Sequence, residues 1–300
     1  MERRAVIDLG TNTFNLLVAD LSDGKIAVVH TERIPVMIGM GGINEGFISS
    51  DAMSRAKQAL RIYCEECRKL SVKKKIGFGT SAIRDAKNRS ELIDFAAKEL
   101  QLDVHVISGV QEAELIFSGV SWAHDFAKEP AVIMDIGGGS TEFISANGDG
   151  ITGIESLNIG VSRIFQDLNK PAEFSAENRG VVYNFLNKHK DQLSSLKGAP
   201  TLIGASGTFE TFFEMIFEMP YSNPDVTIEL PFYKLMAVLE WSERSTYKER
   251  LEHSWVTDIR KSMLPIAAMK VLWAIRTLGS TKVLISPYSL KEGALSLNNL

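Results

Sequence analysis

Residues 8–15 read D-L-G-T-N-T-F-N, and residues 135–142 read D-I-G-G-G-S-T-E. Each stretch follows a short apolar run typical of a β-strand and turns into another such run. Sliding the chain by 127 positions (135 minus 8) superposes the two stretches and their flanking strands. The superposed pairs include Val6 and Ile133, Asp8 and Asp135, Gly10 and Gly137, Thr13 and Ser140, and Asn15 and Glu142. The chain therefore has two similar halves, each carrying one of these stretches, called here the first loop (8–15) and the second loop (135–142).

The regions around the two loops follow one pattern of predicted elements, βββαβαβα in the first half and the same order with insertions in the second. Strands are predicted at 5–9, 14–20, 25–33, 76–80, 104–107, 131–135, 142–146, 151–157, 201–203 and 282–286. Helices are predicted at about 51–70, 90–100, 109–124 and 175–196, from 208, between 232 and 278, and from 290. Turn signals such as S-D-G-K at 22–25 separate the strands.

This pattern predicts an α/β chain of two similar domains that face one another across a cleft. The domains are expected to span residues 1–125 and 126–300, divided at the polar joint H-D-F-A-K-E-P. The last helix is expected to be able to pack back on the first domain.

Composition and charge narrow the range of partners. The chain is 45% hydrophobic and 23% charged, with a formal net charge of -4. This charge provides no general attraction to nucleic acid or to an anionic membrane, so neither is expected as a partner. The longest apolar run, residues 263–275, is interrupted by Pro265 and Lys270. We expect neither a signal peptide nor a membrane span, and hence a cytoplasmic protein.

The two cysteines, Cys64 and Cys67, are spaced C-x-x-C. This spacing is found in metal and redox sites, but one pair supplies only part of a tetrahedral zinc site. Both cysteines also follow the helical spacing of the apolar residues around them. We expect two buried free thiols on or beside the apolar face of one helix.

Both loops have the chemistry of a phosphate site, in which backbone N–H groups and hydroxyls surround an anion. Successive glycines would let the second loop approach an anion closely. The candidate phosphate-binding residues are Gly10, Thr11, Asn12, Thr13 and Asn15 of the first loop and Gly137, Gly138, Gly139, Ser140 and Thr141 of the second. Asp8 and Asp135 add carboxylates suited to a hydrated Mg²⁺. The alternative is that both loops are ordinary hairpin connectors.

A third candidate phosphate site lies between a predicted strand and a predicted helix, at Gly204, Ser206, Gly207 and Thr208. Ligands of α/β folds bind at such positions, and a helix N-terminus favours an anion. A tight turn in which Thr208 caps the helix explains the same residues, and the sequence leaves both interpretations open.

Seven motifs together identify a family. They are I-D-L-G-T-N-T-F-N-L-L-V-A (7–19), G-T-S-A-I-R-D-A-K-N (79–88), I-S-G-V-Q-E-A-E-L-I-F-S-G-V (107–120), D-I-G-G-G-S-T-E (135–142), S-L-N-I-G-V (156–161), G-A-S-G-T (204–208) and S-L-K-E-G (289–293). By these motifs the chain resembles the exopolyphosphatase and guanosine pentaphosphate phosphohydrolase family. The resemblance spans nearly the whole chain.

The resemblance implies two ribonuclease H-like domains of the actin-like ATPase type. It also implies release of the terminal phosphate from inorganic polyphosphate, from pppGpp, a guanosine alarmone of the stringent response, or from both, with Mg²⁺ or Mn²⁺. By resemblance, Glu112 is the general base, Arg84 clamps the reacting phosphate, and Asp135 and Glu142 position metal and water. The implied metal carboxylates are Asp8, Asp135 and Glu142.

Physical arguments bear on two of these residues. Arg84 is expected in the loop after the strand at 76–80, where its planar guanidinium suits phosphate. Glu112 also has a structural explanation, since an acid is favourable in the first turn of a helix that begins Ser108-x-x-Gln111.

Three departures from the family pattern concern the binding of a phosphate chain rather than catalysis. Family members often carry Arg where this chain has Glu114, Arg where it has Lys291, and E-R-A-D where residues 259–262 read I-R-K-S. Two alternative functions stay open: a phosphotransferase of the same superfamily, and a catalytically weak sensor of polyphosphate or a guanosine alarmone. The sequence does not decide between polyphosphate and pppGpp or indicate the preferred chain length, and it leaves homodimerisation open.

Overall fold

The computed structural model describes residues 2–22, 25–196, 198–222 and 224–297. Within these residues the chain forms eleven strands and thirteen α-helices. Contacts divide it into two compact units. Unit 1 comprises Met1–Gly119, Gly137–Gly139 and Leu290–Leu300, and unit 2 comprises Val120–Ile136 and Ser140–Ser289. The expected boundary between independent domains at residues 125 and 126 stays a prediction.

The strands are β1 Glu2–Leu9, β2 Thr13–Ser22, β3 Lys25–Pro35, β4 Lys74–Gly79, β5 Asp103–Val106, β6 Ala131–Ile136, β7 Thr141–Asn147, β8 Gly150–Leu157, β9 Thr201–Ala205, β10 Ile228–Leu230 and β11 Lys282–Ile285. The α-helices are α1 Ser50–Lys69, α2 Ser81–Asp85, α3 Arg89–Leu100, α4 Gly109–Val120, α5 Val161–Asp167, α6 Ala176–Asn187, α7 Lys190–Ser194, α8 Gly207–Phe217, α9 Phe232–Arg244, α10 Tyr247–Glu252, α11 Asp258–Lys261, α12 Leu264–Leu278 and α13 Leu290–Leu295.

Unit 1 is built on a five-stranded sheet in the order β3-β2-β1-β4-β5. β2 runs antiparallel to both β1 and β3, whereas β4 runs parallel to β1 and β5. The apolar face of α1 joins the core of this unit, and the Oγ of Ser49 caps the helix by accepting from the N–H of Ala52 (3.3 Å). Unit 1 also receives α13, where the Cα of Gly293 lies against the carbonyl of Leu115 in α4.

Unit 2 is built on a six-stranded sheet in the order β10-β11-β9-β6-β7-β8. Read from β8, its strands repeat the order and directions of the sheet in unit 1, and β10 adds an antiparallel edge strand. The helix α12 is buried along nearly its whole length, with Arg276 as its exposed residue. The two sheets share one topology.

The internal repeat extends to the register of the strands. Asp8 pairs with Asn15 across β1 and β2, and Asp135 pairs with Glu142 across β6 and β7, a shift of 127 for both members (135 minus 8, 142 minus 15). Each sheet also has a register irregularity at the equivalent place, between residues 18 and 19 in β2 and between 145 and 146 in β7. The predicted α/β fold class, with two similar ribonuclease H-like sheets, is confirmed.

Some short elements escaped the sequence pattern. The prediction that Arg84 lies in a loop is wrong, because residues 81–85 form α2, a helix too short for hydrophobic periodicity to reveal. The short helix α5 and the edge strand β10 were missed for the same reason. The helix predicted over 175–196 is two helices, since α6 ends at Asn187 and α7 begins at Lys190. The predicted turn at 22–25 includes Asp23 and Gly24, which lie outside the described residues.

The two cysteines lie on α1 as free thiols, Cys67 buried and Cys64 half-buried. Burial raises the pKa of both thiols, that of Cys67 to about 12. The predicted position beside the apolar face of one helix is confirmed. None of the described helices combines the length and the apolar character needed to cross a bilayer.

Candidate active site

The first loop is a tight turn between β1 and β2. A Cβ added at Gly10 would lie 2.8 Å from the carbonyl oxygen of Thr13, so the turn requires glycine at this position. The carbonyls of Thr11 and Asn12 accept hydrogen bonds from the backbone of residues 39 and 37 (3.2 and 2.8 Å). At the start of the loop, Asn15 Nδ2 donates to Asp8 Oδ2 (2.9 Å). The turn is therefore held from both sides by backbone and side-chain contacts.

The glycines of the second loop pack against the first loop within unit 1. A Cβ added at Gly138 would lie 2.9 Å from Asn12 Cγ, and one added at Gly139 would lie 2.5 Å from Ser81 Oγ and 2.9 Å from Thr11 Oγ1. Neither contact leaves room for a side chain. The sequence predicts that these glycines make room for an anion. In the structure they make room for the side chains of Asn12, Thr11 and Ser81, which explains them without a ligand.

Helix α2 connects this loop contact to a buried ion pair. Thr80, the residue before the helix, donates through Oγ1 to the carbonyl of Leu9 at the end of β1 (3.3 Å). Ser81 opens the helix beside Gly139, and Arg84 lies near its end. Arg84 Nη1 donates to Glu112 Oε2 (2.9 Å) and to the carbonyl of Ile107 (3.1 Å). One short helix thus positions the Ser81 hydroxyl beside the loops and the Arg84 guanidinium against Glu112 of α4.

The Arg84–Glu112 ion pair is largely enclosed, since the two side chains are 20% and 10% exposed. Both hydrogen bonds of the guanidinium use Nη1, and Nε and Nη2 have no protein acceptor among the described residues. A planar guanidinium can donate two parallel hydrogen bonds to a phosphate from such a position. Arg84 can therefore keep Glu112 and bind an anion at the same time.

The capping explanation for Glu112 does not describe what its side chain does. Gln111 forms the capping box, because its Oε1 accepts from the N–H of Ser108 (2.9 Å) while Ser108 Oγ accepts from the N–H of Gln111 (3.2 Å). Glu112 instead directs its carboxylate to Arg84. The helix dipole still favours an acid at this position, but the structure assigns the cap to another residue.

In unit 2, the carboxylates of Asp135 and Glu142 lie on facing positions of β6 and β7. Ser289 Oγ donates to Asp135 Oδ2 (2.6 Å), and Ser156 Oγ donates to Glu142 Oε1 (2.8 Å). Glu142 is 1% exposed. Ser156 is the first residue of the family motif at 156–161, and Ser289 is the first residue of the motif at 289–293. These motifs are the signal in the sequence that could have marked both serines as candidate site residues.

A lysine is buried beside these carboxylates. Lys270 of α12 is fully buried and donates through Nζ to Thr141 Oγ1, which in turn donates to the carbonyl of Ser140 (2.9 Å). Burial lowers the pKa of Lys270 to about 7, against the attraction of Glu142 and then Asp135, which raises it. Sequence reasoning noted Lys270 only as an interruption of an apolar run. The signal in the sequence is a charged residue inside an otherwise apolar helix, because such a residue is rarely buried without a specific partner.

The turn at residues 204–208 combines packing with backbone strain. A Cβ added at Gly204 would lie 2.1 Å from the ring of Phe209, which explains that glycine without a ligand. Ser206 precedes α8 with a φ of 80°, a conformation that side chains rarely adopt and that recurs at functional sites. The alternative that Thr208 caps the helix is wrong, because α8 begins at Gly207 and Ser206 is its N-cap residue.

A cation also lies at the start of α8. The guanidinium of Arg260 is so close that a Cβ added at Gly207 would lie 1.9 Å from its Nη2, and Arg260 Nη1 donates to Thr211 Oγ1 (2.7 Å). Glu210 Oε2 lies 3.5 Å from the same added Cβ, so a carboxylate of the first turn offsets the positive charge of Arg260 at this helix N-terminus. Sequence reasoning considered Arg260 only as part of an altered motif, and the structure places it beside the turn at residues 204–208.

The structure thus brings the predicted residues together in two sets. In unit 1, Gly138 meets Asn12, Gly139 meets Thr11 and Ser81, and Arg84 meets Glu112. In unit 2, Asp135, Thr141 and Glu142 lie on one strand pair, and Lys270 of α12 donates to Thr141. Across the residues that the structure describes, no three His, Cys, Asp or Glu side chains form a group able to hold a metal ion.

Comparison with known proteins gives this arrangement a context. The model of the Ppx/GppA phosphatase family matches residues 17–298. A bifunctional 3-dehydroquinate synthase/phosphatase of Fusobacterium nucleatum is 34% identical over 221 residues, which are 69% of this chain and 33% of that protein. The chain therefore spans about a third of the length of this relative.

Two solved structures resemble the chain over nearly their whole lengths. An exopolyphosphatase from Cytophaga hutchinsonii is 33% identical with a TM-score of 0.89, covering 98% of this chain and 96% of that one. A Ppx/GppA family member from Aquifex aeolicus is 24% identical with a TM-score of 0.80, again covering 98% and 96%. At 24% identity, the resemblance to the Aquifex aeolicus structure supports the fold and not a shared activity.

Proposed function

The chain belongs to the Ppx/GppA phosphatase family, and from this premise we propose that it releases the terminal phosphate of inorganic polyphosphate, of pppGpp, or of both by attack of water. The observation that carries the proposal is the enclosed Arg84–Glu112 ion pair, in which Nε and Nη2 of Arg84 have no acceptor among the described residues. This pair supplies a phosphate-binding cation and a base within one hydrogen bond of each other.

In the proposed reaction the two loops bind the phosphate chain through their backbone N–H groups and hydroxyls. Arg84 binds the terminal phosphate and offsets the charge that develops on its oxygens. Glu112 orients a water molecule and accepts its proton as the oxygen attacks phosphorus in line with the leaving phosphate. The hydrogen bond to Arg84 fixes the direction of the Glu112 carboxylate, so the base is oriented before substrate arrives.

A divalent cation, Mg²⁺ or Mn²⁺, fits the donors that the chain offers. Mg²⁺ is usually held by one or two carboxylates together with water and substrate phosphates, so it does not require a complete protein cage. We propose Asp135 and Glu142 of unit 2 as the carboxylates that would hold it, and the role of Asp8 in unit 1 stays a prediction. The oxygens of Asp135 and Glu142 are held in place by Ser289 and Ser156. When bound, the cation supplies neutralisation of phosphate charge.

The turn at 204–208 is the third proposed phosphate site. The N-terminus of α8 and the Arg260 guanidinium, which lies beside Gly207 and the carboxylate of Glu210, support it because both attract an anion. The backbone strain at Ser206 is of the kind that recurs at functional sites. Ser206 Oγ also donates to the carbonyl of Ile136, the residue before the second loop's glycines (3.5 Å).

The test is phosphate release measured side by side on short polyphosphate, long polyphosphate, pppGpp and ATP, with Mg²⁺ present and at high enzyme concentration. We expect release from short polyphosphate or pppGpp well above that from ATP. Transfer of labelled phosphate from ATP to an acceptor would instead favour a phosphotransferase. Binding of polyphosphate or pppGpp without any release would favour a sensor and overturn the hydrolase proposal.

A further inference from the structure

The buried lysine of α12 has no part in the reaction outlined above, although it lies beside two of its carboxylates. Lys270 is fully buried, and α12 surrounds it with apolar residues. An ammonium group is buried only where partners compensate the loss of water. Its described hydrogen bond goes to Thr141, and its electrostatic attraction goes to Glu142 and Asp135.

The strand register explains why a cation is needed here. Asp135 and Glu142 face each other across antiparallel strands, where directly opposite like charges destabilise the sheet. Glu142 is also 1% exposed, so water cannot offset its charge. A positive charge at this place compensates both carboxylates at once.

The first half of the chain provides an internal comparison. At the equivalent strand pair, Asp8 faces Asn15, whose amide donates a hydrogen bond to it (2.9 Å). That pair carries a single negative charge and satisfies it with a neutral donor. In the second half, Glu142 replaces the amide and has no proton to donate when ionised. The second pair therefore carries one more negative charge than the first, and its donors from Ser289 and Ser156 are neutral.

We propose that Lys270 is a positioning residue that acts as the built-in cation of the Asp135–Glu142 pair. Its ammonium group holds the two carboxylates and, through Thr141, the end of the second loop. It also weakens the attraction of the pair for a free divalent cation, so that a metal ion shared with substrate phosphates stays exchangeable. The inference rests on the proposed function: its kinetic part rests on the hydrolysis, and its metal-binding part on the proposed carboxylates, which Mn²⁺ binding tests separately from hydrolysis.

The test measures Mn²⁺ binding to the substrate-free protein by electron paramagnetic resonance and calorimetry at pH 6, below the pKa of about 7 to which burial lowers Lys270. Lys270→Met keeps the length and apolar character of the side chain and removes its charge. We expect this variant to bind Mn²⁺ about tenfold or more tightly than wild type, because a positive charge close to the carboxylates has gone. Lys234→Met is the control, since it removes the same charge from an exposed position on α9 of the same unit.

A second pair of variants identifies the partner. In the Glu142→Gln background the carboxylate pair has lost one charge, so we expect Lys270→Met to tighten Mn²⁺ binding much less than it does alone. On the substrate hydrolysed best, Lys270→Met is expected to lower kcat by about tenfold with a smaller change in KM, because the carboxylates and the loop lose their positions.

Several outcomes overturn the proposal. Mn²⁺ affinity equal to that of wild type and of Lys234→Met would do so, as would equal tightening with and without Glu142. Lys270→Gln, which keeps a donor for Thr141 but lacks the charge, serves if the Met variant does not fold. If neither neutral variant folds, Lys270 belongs to the structural core and is not a positioning residue. Failure of the phosphate-release assay leaves the Mn²⁺ result intact, so the two proposals fail separately.

Discussion

At the scale of single residues, the central feature is an arginine that serves two partners. Arg84 reaches Glu112 and the carbonyl of Ile107 through one nitrogen. The rest of its planar fork has no described acceptor and is suited to a phosphate. Since the side chain is only 20% exposed, such a contact would form in a place shielded from bulk water, where charge-assisted hydrogen bonds are stronger.

Glu112→Gln tests the proposed base. The amide keeps the size of the side chain and can remain near Arg84, but it cannot accept the proton of water. We expect kcat to fall about a hundredfold or more while KM stays within a few-fold of wild type. Steady-state phosphate release on the preferred substrate measures this effect. Glu99→Gln, at an exposed position on α3, is the control for losing one carboxylate. Unchanged turnover in Glu112→Gln would exclude the assignment.

At the scale of elements, short helices and tight loops place the chemistry, whereas the long helices supply the core. Helix α2 has five residues, yet it contributes Ser81 to the loop contact and Arg84 to the ion pair. The position of this helix is fixed by a tertiary contact, the hydrogen bond from Thr80 to the carbonyl at the end of β1. A helix this short has little stability of its own and depends on such tertiary contacts.

Helix α6 offers a test of local helix energetics away from the candidate site. Its Ser175 forms a capping box in which Oγ accepts from the N–H of Asn178 (3.1 Å). We expect Ser175→Ala to lower the free energy of unfolding by about 1 kcal/mol, because one N-terminal donor loses its acceptor. Urea denaturation of both proteins measures the difference. A change below a few tenths of a kcal/mol would show that the cap adds little to stability.

Gly180→Ala in the same helix is the control with the opposite sign. Gly180 is exposed, and a Cβ added there would meet nothing within 4 Å. The substitution is expected to stabilise the protein by about 0.5–1 kcal/mol through the lower conformational entropy of the unfolded chain.

At the scale of the whole molecule, the two units are interleaved along the chain. Unit 1 consists of three separate segments, and two of them, Gly137–Gly139 and Leu290–Leu300, are attached to segments of unit 2. Unfolding of unit 2 would therefore release parts that unit 1 needs. We expect the two units to unfold in one cooperative transition.

The distribution of probes along the sequence makes this expectation measurable. All four tryptophans lie in unit 2, and both cysteines lie in unit 1. Cys67 is 2% exposed, and burial raises the pKa of its thiol to about 12. In a Cys64→Ala variant, labelling of the remaining thiol should therefore report unfolding of unit 1. Urea midpoints from tryptophan fluorescence and from thiol labelling at pH 8 should coincide. Labelling of Cys67 at urea concentrations where fluorescence is still native would contradict cooperative unfolding.

Much of this architecture could be predicted because it depends on local pattern. Hydrophobic alternation and turn residues predicted the strands other than β10, and the offset of 127 residues predicted the repeated sheet. The helix α2 could not be predicted, because one and a half turns carry no recognisable period. The family motifs mark Ser156 and Ser289, but the carboxylates to which they donate could not be predicted, since these contacts form only when the chain folds.

The sequence by itself determined the two loops, the duplicated sheet and the family, because these depend on residue types in a fixed local order. Only the tertiary structure decided what the side chains of the site contact. Glu112 turns to Arg84 and leaves the cap to Gln111, Gly139 makes room for Ser81, and Lys270 lies beside two carboxylates. The physical reason is that charge compensation and close packing depend on distances between side chains in space. The periodicity of residues along the chain does not determine those distances.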